Sequence, residues 1–144
     1  MWPMWKFLIA LAGSGLAFAL IDAVWLTQIG PWLYRPTLDP VLADTFRLGP
    51  AIAFYFAYLT GLVLLVVLPA TESGTLRVAA GRGALLGAMA YATYDLTSYA
   101  TLKVWSLKIT LIDIAWGTFL TCIAACAGYA AVRAVFRSQT GAAA

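Results

Sequence analysis

Histidine is absent from this chain, and charge of either sign is scarce. The first absence removes histidine-based acid–base catalysis, Ser-His-Asp and Cys-His nucleophile systems, histidine-ligated haem and most zinc sites. The second decides the solvent. Only 10% of the 144 residues are charged and 63% are hydrophobic, where a soluble domain carries about 25% charged residues. So little charge cannot cover a water-facing surface, and most of the chain is expected to face lipid. Lys and Arg exceed Asp and Glu by just 9 to 6, and no basic cluster of the kind a nucleic-acid footprint requires is present. Cys122 and Cys126 lie one helical turn apart in an apolar run and read as small packing residues.

What is abundant is apolar sequence in long runs. A membrane-crossing helix needs about 20 mostly apolar residues, and Phe7–Ile29, Pro50–Leu68, Gly83–Thr101 and Ile109–Val132 qualify. The expected fold is therefore an all-α membrane protein, a four-transmembrane-helix bundle forming one domain over residues 1–144. Pro31, Pro36 and Pro40 are expected to end the first helix, and Pro69 to end the second. "TESGTLR" and "KVWSLK" read as the turns that follow the second and third. The first run is too long, and its leading charge too small, for a cleaved signal peptide. Lys6, Arg77, Arg82, Arg133 and Arg137 fall on one side, Arg35, Arg47, Lys103 and Lys108 on the other. That bias favours cytoplasmic termini. The segment "PTLDPVLADTFRL" would then lie outside, as a short amphipathic helix on the membrane surface.

One phrase occurs twice. "LIDAVWLT" (Leu20–Thr27) and "LIDIAWGT" (Leu111–Thr118) each place an aspartate and a tryptophan at i, i+3, on one helix face, inside an apolar run. In antiparallel helices the two copies reach the same depth. At that depth the third run brings "YATYDLTSY", with Tyr91, Asp95 and Tyr99 at i, i+4, i+8, and the second brings Tyr55 and Tyr58. Polar and aromatic groups thus gather in one layer in the outer half of the bilayer, while the inner halves stay apolar.

A carboxylate in lipid is costly, so Asp22, Asp95 and Asp113 are expected to face the bundle. There they are neutralised by protonation, by tyrosine hydroxyls, or by Lys103, Lys108 or Arg35. Two functions remain open for this layer. The aspartates can tie helix to helix by hydrogen bonds to Tyr, Trp and Thr. Alternatively the layer is a site, lined by Asp22, Trp25, Tyr55, Tyr91, Tyr94, Asp95, Asp113 and Trp116. Acid with aromatic walls suits a membrane lipid or a small amphipathic ligand with a polar or cationic head. Transport lacks a second polar layer in the inner half. Lipid-modifying catalysis lacks a nucleophile–base pair, metal cage or phosphate loop. An accessory subunit of a larger membrane complex and a homodimer are further alternatives. No cofactor, metal or nucleic acid is expected. Gly83-x-x-x-Gly87 is a close-packing signal between helices.

"DAVWL", "FYFAYLTGLVLLVVLPA", "GALLGAMAYATYDLTSYATLKVW" and "IDIAWGT" together resemble a family of small bacterial inner-membrane proteins defined as a domain of unknown function. The resemblance covers nearly the whole chain. It implies a multi-pass inner-membrane protein of four helices, with Asp22, Trp25, Tyr34, Tyr55, Tyr94, Asp95, Asp113 and Trp116 in the family's pattern. It implies no particular activity, substrate or cofactor.

Overall fold

The structure, a computed structural model, describes residues 1–141, apart from the side chains of Ser73 and residues 137–141. Arg137 and the terminal Ala144 therefore lie outside the described side chains. The described residues form helices and no strand. In chain order these are α1 (Met4–Val24), α2 (Gly30–Leu38), α3 (Leu48–Leu62), α4 (Leu68–Ser73), α5 (Leu76–Thr101) and α6 (Leu107–Gly141).

Three continuous rods are long and apolar enough to cross a membrane: Met4–Val41, Leu48–Glu72 and Leu107–Phe136. α5, the expected third span, has the length, 26 residues, and less apolar content than those three. Arg77 and Arg82 stand in its first two turns, and Thr93, Asp95, Thr97 and Ser98 toward its end.

The rods correct the reading of the prolines. Pro31 and Pro69 do not end their helices, because each follows a five-residue π turn, Trp25–Ile29 and Val63–Val67. A proline inside a helix has no N–H to give and its ring meets the carbonyl four residues back. Here Gly30 N–H donates to Trp25 O and Leu68 N–H to Val63 O, five residues back. The widened turn carries the obstructing carbonyl aside one residue before the proline needs the space. Pro36 is absorbed within α2, and the first rod ends only in the 3-10 turn Asp39–Val41 that contains Pro40. The expected surface helix is likewise absent: half of "PTLDPVLADTFRL" extends this rod, and residues 42–47 are not helical.

The remaining turns are short. Gly74 ends α4 at φ 98°, the left-handed region that glycine enters without strain. Thr75 then caps α5, its Oγ1 accepting from Val78 N–H at 3.3 Å. Tyr129 Oη of α6 donates to Gly74 O at 3.1 Å and ties this turn to the bundle.

α6 is the central helix. Of its apolar window 44% is buried, against 22% and 28% for the other two rods. It runs antiparallel to α1 on one side and α5 on the other, along seams of small residues. A Cβ added at Gly13 would stand 2.8 Å from Ala131 Cβ, at Gly83 2.6 Å from Ala125 Cβ, and at Gly87 2.8 Å from Thr121 Cβ. Gly83 and Gly87 therefore do what their spacing predicts. Phe18, Leu62, Leu68, Leu120 and Val132 fill the core around this seam. α3 leans on α1 and leaves Ile52, Phe54 and Phe56 more than half exposed.

Candidate functional site

At the opposite end of the bundle the repeated phrases face each other, because α1 and α6 are antiparallel. Asp22 and Asp113 are 6% exposed and Asp95 is 0% exposed, so all three aspartates point inward as expected. Trp25 and Trp116 stack at 4.3 Å between ring centroids, with planes 11° apart.

Hydrogen bonds cross between the copies. Trp116 Nε1 donates to Asp22 Oδ1 at 3.4 Å, so the second tryptophan serves the first aspartate. Trp25 Nε1 donates to Tyr34 Oη at 3.1 Å, and Tyr34 Oη donates to Asp113 Oδ1, so the first tryptophan reaches the second aspartate through a tyrosine. Tyr55 Oη completes the set by donating to Asp22 Oδ2. The threonine of each phrase stays within its own helix: Thr27 Oγ1 donates to Ala23 O and Thr118 Oγ1 to Ile114 O, both at 2.7 Å. Aspartate and tryptophan thus repeat because they exchange partners; threonine repeats for a local reason.

The copies differ after the tryptophan. Gly117 lies under the Tyr91 ring, which occupies the space a Cβ would take. Leu26, at the matching place in α1's rod, is 46% exposed and has no ring over it.

Tyr34 joins this layer through the π turn. At about 100° per residue, positions nine apart lie about 180° apart on a straight α-helix, which puts Tyr34 opposite Trp25. The extra residue in the wide turn removes one step. Tyr34 then falls about 80° from Trp25 and about 20° from Asp22. A regular helical period therefore hides Tyr34 from sequence reading, and only the family pattern pointed to it.

The layer encloses a cavity of about 380 Å³. Seven of the eight expected site residues line it: Asp22, Trp25, Tyr55, Tyr91, Tyr94, Asp113 and Trp116, together with Tyr34. Asp95 does not. It is fully buried and faces the Asp113 carboxyl, and among the described residues no N–H or hydroxyl of any other residue reaches its oxygens. Tyr99, the far end of the expected stripe, is 47% exposed and outside the layer. The Tyr91 hydroxyl lies among Asp22, Asp113, Tyr55 and Tyr58 and has no hydrogen-bond partner among the described residues.

Hydroxyls and an indole, not bases, meet Asp22 and Asp113. Among the described residues no Lys or Arg pairs with Asp22, Asp95 or Asp113. Lys108 stands over the exposed Trp32 ring, 4.1 Å from its centroid. Among the described residues no three acidic or thiol groups come close enough to hold a metal ion. A pocket with acid, π faces and a spare hydroxyl is chemically suited to hold a cation or a hydrogen-bonding head.

Apolar rods with a buried polar layer at one end define an all-helical membrane protein. The chain belongs to the family described as predicted membrane protein (DUF2177), which matches residues 7–130. No curated protein and no solved structure matches it.

Proposed function

We propose that the chain is a four-span protein of the bacterial inner membrane, both termini cytoplasmic. α5 is the third span, held in the bilayer by its seam with α6. The cavity lies in the outer half and binds, without transforming it, a lipid-like or amphipathic molecule with a cationic head. The observation that carries this reading is the imbalance of charge: three buried carboxyl groups and no base beside them among the described residues. Facing carboxyls without a cation between them are a place where a positive group is stabilised. The Trp25–Trp116 stack and the free Tyr91 hydroxyl add cation–π and hydrogen-bonding capacity.

Thermal unfolding of the protein in a nonionic detergent, titrated with tetramethylammonium, tests the proposal. Wild type is expected to be stabilised in a concentration-dependent way, and Asp22→Asn to respond at least about tenfold more weakly, equivalent to about 1.4 kcal/mol. No response in wild type would sink it.

A second reading has its own support. Asp22 and Asp113 both accept hydrogen bonds from the bundle itself, as helix-to-helix ties would. Under that reading Asp22→Asn lowers stability and leaves nothing else to lose.

A further inference from the structure

The cavity does not stand alone. A second hollow of about 430 Å³ lies between α1 and α3, with Phe18, Ala19, Ile52, Phe56 and Leu59 in its walls. Asp22, Leu26 and Tyr55 belong to both hollows. The groove exists because α3 leans only loosely on α1, and because Gly15, Ala19 and Ala23 give that face of α1 no bulk. Its wall is almost wholly apolar, and it runs along the bundle away from the carboxyl layer.

We infer that the ligand is a single-chain amphiphile: its cationic head occupies the acidic cavity and its alkyl chain lies in the α1–α3 groove. This rests on the cation-binding reading above and adds to it the tail and its path. Charge selects the head. Asp22, Leu26 and Tyr55 form the wall common to both hollows, so a head bound at Asp22 stands one side chain from the groove, and the Tyr55–Asp22 hydrogen bond is the contact the first methylenes pass. A chain gains no hydrophobic free energy on moving from lipid into such a groove, since lipid is equally apolar. What the groove offers is fitted contact along a fixed line, and a chain tethered to a bound head meets it at high effective concentration. The hollow of about 870 Å³ that borders the cavity at Leu26 and Tyr34 is lined by Arg35, Asp44, Thr45 and Arg47 and does not suit an alkyl chain, hence the single-chain ligand.

Two probes separate head from tail: tetramethylammonium, and dodecyltrimethylammonium with dodecanoate as its anionic counterpart. Native mass spectrometry of the full chain in amphipol reads how many of each are bound. Ala19→Phe and, independently, Ala23→Phe fill the groove from positions that are exposed, so neither disturbs the core. The expected result is one dodecyltrimethylammonium per wild-type chain, about tenfold weaker binding in both groove variants, and unchanged tetramethylammonium binding throughout. Equal dodecyltrimethylammonium binding in wild type and both variants would overturn the tail assignment while leaving the cation site standing. Dodecanoate binding as tightly as the cation would overturn the pairing of head and groove. Failure of wild type to bind either cation would remove the cation-binding reading, and this inference with it.

Discussion

From Thr121 to Val132, α6 meets its neighbours through threonine, alanine and glycine; from Ile109 to Gly117 it meets them through aspartate, tryptophan and the rings of other helices. The first half closes so tightly that added Cβ atoms at Gly83 and Gly87 would overlap it. The second half holds a cavity of about 380 Å³. The polar half of α6 is packed by rings instead: Trp116 stacks on Trp25 of the first rod, and the Tyr91 ring of α5 lies over Gly117. Under the proposed function, stability and binding fall to different ends of one bundle. The apolar end fixes the helices. The polar end uses that fixed frame to hold carboxyl groups away from lipid.

If the two ends are separable in this way, the largest loss of stability should come from the end without polar groups. Leu120 is fully buried. Leu120→Ala is expected to cost about 2–5 kcal/mol, as core truncations do, measured by unfolding in mixed micelles, while cation affinity in the folded fraction changes less than about threefold. A proportionate loss of affinity would break the separation. Next, Gly83→Leu forces α5 from α6 and should cost about 1–3 kcal/mol by overpacking. Here affinity should fall as well, because the seam sets the spacing of Tyr91 from Gly117.

At the polar end the order reverses. Asp22→Asn keeps one accepting oxygen and turns the other into an NH2 donor, so one of the two hydrogen bonds is lost or reversed, and intramembrane bonds average about 0.6 kcal/mol. Its stability loss should stay near 1 kcal/mol while affinity falls at least about tenfold. Pro31→Ala sharpens the comparison further. It permits the π turn to relax, turning Tyr34 away from Asp113. A double-mutant cycle with Tyr34→Phe should then show coupling of about 0.5–1 kcal/mol, and additive effects would mean that the wide turn does not place Tyr34. The smallest effect is expected at Lys108→Ala, about 0.5 kcal/mol, from the exposed cation–π contact with Trp32.

Much of this was legible from residues alone. Apolar runs located α1, α3 and α6, the inward aspartates followed from the cost of a carboxylate in lipid, and the Gly83/Gly87 spacing predicted the α5–α6 seam. Antiparallel geometry brought the two "LIDxxWxT" copies to one layer. Two things escaped for one reason. A π turn inserts a residue that no helical period contains, so Pro31 and Pro69 read as ends and Tyr34 falls beyond the expected first helix. The crossing of partners, Trp116 to Asp22 and Trp25 through Tyr34 to Asp113, was hidden as well, because i, i+3 spacing ties each tryptophan to the aspartate of its own helix. Asp95 is buried beside the layer without lining the cavity, because its stripe turns it toward the Asp113 carboxyl.

The most direct test of the central claim is native mass spectrometry of the protein released gently from its membrane, wild type beside Asp22→Asn and Asp113→Asn, with unfolding measured on the same samples. The account predicts a defined bound mass on wild type that disappears from both variants while each retains most of its stability. Bare protein in all three, with the variants simply weaker, would contradict it and leave the repeated phrase as a tie between helices.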